Sequence, residues 1–307
     1  MQIAVTGGTG FVGRYIVRRL VDAGHTCRLW YRPQSDRSGF GSIERQLEWV
    51  SGQLGDSASS LELVGGCDAV VHAALHRPGA GFRGGEGDVV EFCQDNLLGT
   101  LQLIEAARTT GVDRFVYVST CAVHEKILDD RPLDETHPLW PTSHYGAHKA
   151  AVEKFVHSYG LGQNYAICGV RPTGVYGLTH PPQNSKWWNL VEQVVRGETV
   201  VARHGGKEVH AADVAQAVER LLTADGIHGQ VYNCYDRYIS DHDIAEIAKR
   251  LTGSSSPIEG DATVPRHQID TAKIQALGMK FGGTTLLEQT VQEIITAMRA
   301  ADDLTKA

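Results

Sequence analysis

Apolar positions along this 307-residue chain fall into two alternating patterns. Short runs of β-branched and other apolar residues, bounded by glycine or polar positions, read as buried strands. They are Ile3–Val5, His25–Tyr31, Leu47–Val50, Asp68–His72, Arg114–Ser119, Gln163–Val170 and Gln230–Asn233. Between them the apolar positions recur at helical spacing. Phe11, Tyr15, Val17 and Leu20 give a helix that ends near Ala23-Gly24, glycine being favoured just past a helix end. After the Gly52–Asp56 turn a helix opens with Asp56 or Ser57 as its cap. Further helices span about Asp88–Thr110, from Tyr145 through Phe155, and Ala211–Thr223. Strand and helix alternate, so the fold class is α/β, a doubly wound parallel sheet with helices on both faces. Ser35–Gly41 reads as a loop and Pro78–Gly87, rich in glycine, as a mobile one.

The later chain breaks the alternation. Arg171–Gly177 reads as a turn-rich crossing, and Trp187-Trp188 opens a helix to about Arg196. Helices follow at about Asp241–Leu251, Asp270–Leu277 and Leu286–Ala300, with a Ser/Pro loop at Ser254–Pro257. The expected division is a first domain of 1–170, to which 208–235 returns, and a small, discontinuous, mostly helical domain of 171–207 and 236–307.

Composition narrows the function classes. A net charge of −7 argues against nonspecific nucleic-acid binding. No apolar run approaches the roughly 20 residues of a membrane span. The chain enters a core strand at residue 3, which argues against a signal peptide. The six cysteines are scattered without a C-x-x-C pair and read as small buried hydrophobes in a reducing cytoplasm. Fourteen histidines form no H-E-x-x-H or Cys/His cluster, so no metal site is expected.

The chemistry starts at the first turn. Gly7, Gly10 and Gly13 fall in a G-x-x-G-x-x-G spacing between the first strand and first helix, the context of a dinucleotide-binding turn. Gly7 allows the tight turn, Gly10 lets backbone approach a pyrophosphate, and Gly13 lets the helix pack on the strand. The phosphates would sit on free N–H groups at the helix N-terminus. At the end of the second strand there is no acid to take a ribose hydroxyl before Asp36, but there is Arg32, which favours NADP over NAD. Ala73 and Ala74 close the fourth strand, at the sheet edge where α/β folds bind ligands. Tyr145 and Lys149, four apart, share a helix face. A lysine ammonium beside a phenol favours the phenolate, which can then exchange a proton with an alcohol or carbonyl near neutral pH. Thr120, at the end of the fifth strand, can hydrogen-bond the same oxygen.

Taken together, Thr6–Gly13, His72-Ala73-Ala74, Asn96–Thr100, Val118-Ser119-Thr120, Tyr145–Lys149, Arg171–Gly177 and Ala212–Ala215 resemble an extended short-chain dehydrogenase/reductase of the NAD-dependent epimerase/dehydratase type. The resemblance implies a Rossmann-type first domain and a Thr120/Tyr145/Lys149 triad supported by Asn96. It implies cofactor contacts at Gly7, Gly10, Phe11, Val12, Arg32, Leu54, Ala73, Ala74, Tyr145, Lys149, Pro172 and Val175, and a homodimer. There are departures from the family pattern. Cys121-Ala122 stands where sugar 4,6-dehydratases carry an acidic pair, so the obvious groups for dehydration are missing. Gln53 replaces the usual acid before Leu54, and Val123-His124-Glu125 replaces Val-Tyr-Gly. Thr179–Lys186 is expected to cap the active site, with Trp140, Trp187, His204 or Lys207 near a small-molecule substrate. The alternative is that the paired tryptophans pack the small domain or a subunit contact. Arg203 and Lys186 are the candidates for a nucleotide pyrophosphate.

The expected function is an NAD(P)-dependent oxidoreductase acting on a CH–OH/C=O group of a sugar or other small hydroxy compound. The same triad serves the runner-up, an NAD-dependent (nucleotide-)sugar epimerase. A non-catalytic NADP-sensing protein is a third reading, against which the intact Tyr145 and Lys149 speak.

Overall fold

A computed structural model of the chain describes residues 1–79 and 84–306. Part of the expected Pro78–Gly87 loop, residues 80–83, lies outside the described residues. The first elements are β1 (Gln2–Thr6), α1 (Phe11–Asp22), β2 (Thr26–Tyr31), β3 (Leu47–Ser51), α2 (Ser57–Val64) and β4 (Ala69–His72). Then come α3 (Val89–Cys93), α4 (Gly99–Thr109), β5 (Arg114–Val118), α5 (His144–His157), β6 (Ala166–Pro172) and β7 (Gly174–Tyr176). Next are α6 (Trp188–Val195), β8 (Val200–Val201), β9 (Gly205–His210), α7 (Ala211–Leu221), β10 (Gln230–Cys234) and β11 (Arg237–Ser240). The chain finishes with α8 (Asp241–Thr252), β12 (Ile258–Glu259), α9 (Ala272–Gln275) and α10 (Gly283–Lys306).

Two compact units divide the chain. The first takes 1–173, 214–234 and 269–279. Its sheet runs β10-β6-β5-β4-β1-β2-β3, every pairing parallel, as the apolar strands and intervening helices predict. The strand order reverses beside β1, and the crevice outside strand ends at such a point is where open α/β sheets bind ligands. Register puts Thr6 opposite His72, and His72 opposite Tyr117. The core on one face joins Val70, Phe115 and Ile167 to Leu103, Ile104, Val152 and Val156. Residues 269–279, which sequence pattern groups with the C-terminal helices, sit with this unit. Ile269 bridges Leu133, and Lys273 donates to Gln230.

The expected helix over Asp88–Thr110 is interrupted. Residues Gln94–Leu98 form a π-helical turn between α3 and α4, and Gly99 N–H donates five residues back to Gln94 O. The cause is local: Asn96 Nδ2 takes Phe92 O at 3.0 Å, an acceptor the regular ladder would use.

The second unit takes 174–213, 235–268 and 280–307. Tyr176, Val191 and Val194 pack with Ile244, Ala248, Val291 and Ile295 in its core. Beside its helices it carries a three-stranded sheet, β11-β9-β7, and a two-stranded one, β12-β8. Sequence pattern did not predict these strands. Residues 205–208 read Gly-Gly-Lys-Glu, without alternation, and pairing with neighbours overrides propensity there. The glycines make room for a buried carboxylate: a Cβ on Gly206 would lie 2.3 Å from Glu208 Oε1, and one on Gly174 2.6 Å from Oε2.

Candidate active site

The glycine turn is built as its spacing predicts. Gly7 has φ +73°, and a Cβ there would fall 2.7–2.8 Å from the Ala73 and Ala74 backbone. A Cβ on Gly13 would lie 2.0 Å from Gly7 O, so only glycine lets α1 start this close to β1. Gly10 caps α1 without a side-chain acceptor, and the first turn contains no acid. The N–H groups at Phe11, Val12 and Gly13 therefore have no intrahelical partner, and the helix dipole favours an anion beside them. These features fit a dinucleotide pyrophosphate.

Arg32 directly follows β2 and is half-buried. Its backbone N–H donates to Ser35 Oγ at 2.9 Å, and its guanidinium has no hydrogen-bond or ion-pair partner among the described residues. Sequence reasoning missed Arg14, which is 7% exposed and clasps the loop after β2. Its guanidinium donates to Thr9 O, Ser38 O and Asp36 O at 3.1, 2.6 and 2.7 Å. No local signal marks that role, because its partners in the loop after β2 lie 22 and 24 residues on. Leu54 is half-buried beside Gly99, where a Cβ would meet Leu54 Cβ at 3.1 Å.

Thr120 ends the β5 strand region. Its Oγ1 accepts from Ala122 N–H at 3.1 Å and caps the turn Cys121–His124. Tyr145 and Lys149 lie one turn apart on α5, whose cap is Ser143, accepting from Gly146 N–H. Tyr145 is half-buried. Its backbone N–H donates to Glu86 Oε1 at 3.0 Å, another contact that sequence spacing did not reveal. Lys149 is buried: Nζ donates to Val118 O at 2.8 Å and lies 4.6 Å from the Tyr117 ring centre. Burial brings its pKa down to about 7, with Glu153 acting the other way. The Cys121 thiol, where dehydratases carry an acid, is pushed up to about 12 by burial and donates to Arg171 O.

Asn96 is 2% exposed and its carboxamide is spent on backbone. Oδ1 accepts from His76 N–H at 2.7 Å, and Nδ2 donates to His76 O at 2.8 Å. It thereby fixes the segment leaving β4. One turn beyond Lys149, Glu153 grips Arg171 at the end of β6, a buried pair that the Tyr145–Lys149–Glu153 spacing could have flagged. Pro172 ends β6, whereas Val175 lies on β7 in the second unit.

Of the other substrate candidates, Arg203 and His204 are exposed and Lys207 lies on β9. Trp140 is 45% exposed with Lys126 over its ring. Trp187 and Trp188 pack against the core of the second unit, as the alternative reading had it. Lys186 pairs with buried Glu208. Among the described residues no group of three or more His, Cys, Asp or Glu could hold a metal, and no helix is long and apolar enough to cross a membrane.

Comparison with known proteins agrees with this architecture. A model of the NAD dependent epimerase/dehydratase family matches residues 3–234. Mouse dTDP-D-glucose 4,6-dehydratase is 28% identical, covering 91% of this chain and 84% of its own length. A ketoreductase of *Stigmatella aurantiaca* acting on a farnesylated dihydroquinoline oxide is 29% identical, covering 82% and 72%. The solved UDP-glucose 4-epimerase of *Thermotoga maritima* superposes with a TM-score of 0.79 at 21% identity over 98% of this chain and 99% of its own, a likeness of fold. The chain belongs to the NAD-dependent epimerase/dehydratase family.

Proposed function

We propose that this family member is an NAD(P)-dependent oxidoreductase acting on a CH–OH/C=O group of a sugar or other small hydroxy compound. The observation that carries the reading is Tyr145 one helical turn from Lys149, with Lys149 anchored on Val118 O two residues before Thr120. When bound, the nicotinamide supplies hydride acceptance or donation at the carbinol carbon. Tyr145 takes the hydroxyl proton in oxidation and returns it in reduction. Thr120 hydrogen-bonds the same oxygen, and the Lys149 ammonium favours the phenolate. Gly7, Gly10, Phe11 and Val12 would hold the pyrophosphate, Ala73, Ala74 and Leu54 the flank, and Arg32 a 2′-phosphate. Arg32's guanidinium, without a partner among the described residues, supports NADP ahead of NAD.

Epimerisation is the second reading, supported by a UDP-glucose 4-epimerase among the sequence relatives. The two differ in whether reduced cofactor accumulates. Tyr145→Phe is expected to abolish turnover of a hydroxy-compound panel while leaving dinucleotide binding intact. Unchanged turnover would remove Tyr145 from the mechanism. A homodimer is part of the proposal, supported by exposed apolar side chains at Val90, Leu98, Phe155 and Leu161. A reducing, cytoplasmic setting is part of the proposal, supported by six cysteines that form no disulfide among the described residues. Sedimentation of the purified protein tests the dimer.

A further inference from the structure

His72 ends β4 and is 1% exposed, with each ring nitrogen beside a threonine. Nδ1 lies 2.6 Å from Thr6 Oγ1, and Nε2 lies 2.9 Å from Thr100 Oγ1. The far ends of the chain dictate its direction. Thr100 Oγ1 is 2.5 Å from Asn96 O, and a carbonyl only accepts, so the Thr100 proton points there. The Thr100 oxygen then accepts from His72, so Nε2 carries the ring proton. Nδ1 is left as an acceptor for the Thr6 hydroxyl. Thr6 Oγ1 accepts in turn from Ala74 N–H at 3.2 Å. The path runs from Ala74 N–H through Thr6, His72 and Thr100 to Asn96 O, with each donor matched to an acceptor and no formal charge.

This chain ties together three parts of the site. Thr6 leads into the glycine turn. Ala73 and Ala74 press on Gly7. Asn96 grips His76 by both backbone groups. A protonated ring would turn Nδ1 into a donor toward Thr6 and set a second buried cation near Lys149. The titratable groups facing the ring are Lys149, Tyr117 at 5.6 Å between ring centres, and neutral His148. Burial first, then Lys149, hold the His72 pKa down to about 3.

We propose that His72, as the neutral Nε2–H tautomer, is a positioning residue that sets the glycine turn against residues 73–76, so that dinucleotide affinity depends on it. The proposal rests on the dinucleotide-dependent reading above.

Nitrogen-15 NMR of the wild-type protein, with His72 assigned by the signal lost in His72→Gln, tests the tautomer directly. The expected result is a protonated Nε2 and an acceptor-type Nδ1, unchanged between pH 8 and 5. A proton on Nδ1, or titration within that window, overturns the proposal. NADH and NADPH titrations then separate the two readings. A wild type that binds neither dinucleotide overturns the proposed function, while the NMR result still judges the chain. For Thr100→Val and His72→Phe, each of which removes two buried hydrogen bonds of the chain, dinucleotide Kd is expected to rise about tenfold. The kcat at saturating cofactor and the pH–rate profile stay as in wild type. His72→Gln, which keeps a donor and an acceptor, recovers most of the affinity. Wild-type Kd in Thr100→Val, the near-isosteric variant that keeps the fold, overturns the proposal. A fall in kcat at unchanged Kd does so as well.

Discussion

Two buried polar networks flank Lys149, and they are built on opposite principles. On the β4 side, Thr6, His72, Thr100 and Asn96 form a neutral chain whose geometry follows from which atom owns which proton. On the β6 side, Arg171 donates to both oxygens of Glu153 at 2.9 and 2.7 Å, with side-chain exposures of 1% and 0%. Ser119 donates to Glu153 at 2.5 Å, and Arg171 Nη1 reaches His124 Nε2 at 3.1 Å. The neutral chain desolvates no ion, so it costs little to bury and tolerates loss of one member better. The charged one is held by Coulomb attraction in a low dielectric and by a two-pronged fork, and it fails badly when either partner is lost. Their placement follows function on the account given above. The charged pair fastens α5, which carries Tyr145 and Lys149, to β6. The neutral chain orders the turn proposed to meet the cofactor.

The largest effect of a single substitution should come from breaking the charged side. Glu153→Ala leaves a buried guanidinium without its partner, and urea denaturation should show a loss of about 3–5 kcal/mol. The double variant Glu153→Leu/Arg171→Met should recover most of it. A small loss in the single variant would remove the contrast.

Acid should expose His72 of the neutral side together with three other buried rings. Burial holds His72 and His124 down to about 3, His148 to about 2 and His210 to about 4. Each lies below the unfolded value of about 6.5. The unfolded chain therefore binds more protons below that pH, and the stability from keeping each ring neutral is lost as pH falls from about 6.5. The slope is about 1.4 kcal/mol per pH unit for each ring. Urea unfolding at pH 7.5, 6 and 5 should show a steep decline, and a flat profile would contradict the neutral assignment.

Lys149 sits between the two networks and gives a smaller effect with a definite sign. Its folded pKa of about 7 lies below the ordinary lysine value. Between the two the unfolded state holds more protons, so the lysine's contribution to stability becomes more favourable as pH rises from 7 to 10. Lys149→Met removes that slope. Relative to wild type, the variant should be more stable at pH 7 than at pH 10, and an equal difference at both would rule out burial as the cause.

The smallest effect of a substitution is expected at Thr100→Val, which removes the neutral hydrogen bonds to His72 and Asn96 O and should lower stability by about 1–2 kcal/mol. A loss as large as that of Glu153→Ala would erase the distinction between the networks.

How much of this was legible depended on how far apart the partners lie in the chain. Gly7, Gly10 and Gly13 were legible because their constraint is local: Gly7 takes a positive φ, and a Cβ on Gly10 or Gly13 would meet Gly7 O of the same turn. Tyr145 and Lys149 were legible because helical spacing places them on one face. Arg14, Glu86 and His72 were not, since the partners that define their roles, Asp36 and Ser38 for Arg14, Tyr145 for Glu86, and Thr6 and Thr100 for His72, lie between 22 and 66 residues away. The π turn at Gln94–Leu98 was hidden for a different reason: Asn96 takes Phe92 O with its side chain, and the apolar pattern of an unbroken helix hardly differs. In the second unit, β9 carries glycine and charge where a strand pattern calls for alternation, and the reason, room for Glu208, is visible only in three dimensions.

The central claim is that the glycine turn and the Tyr145–Lys149 helix serve a bound nicotinamide dinucleotide. A fluorescence titration of the purified protein with NADPH and NADH tests it most directly. The account predicts saturable binding of both, with NADPH tighter and the preference lost in Arg32→Ala. Absence of binding by either dinucleotide would contradict it.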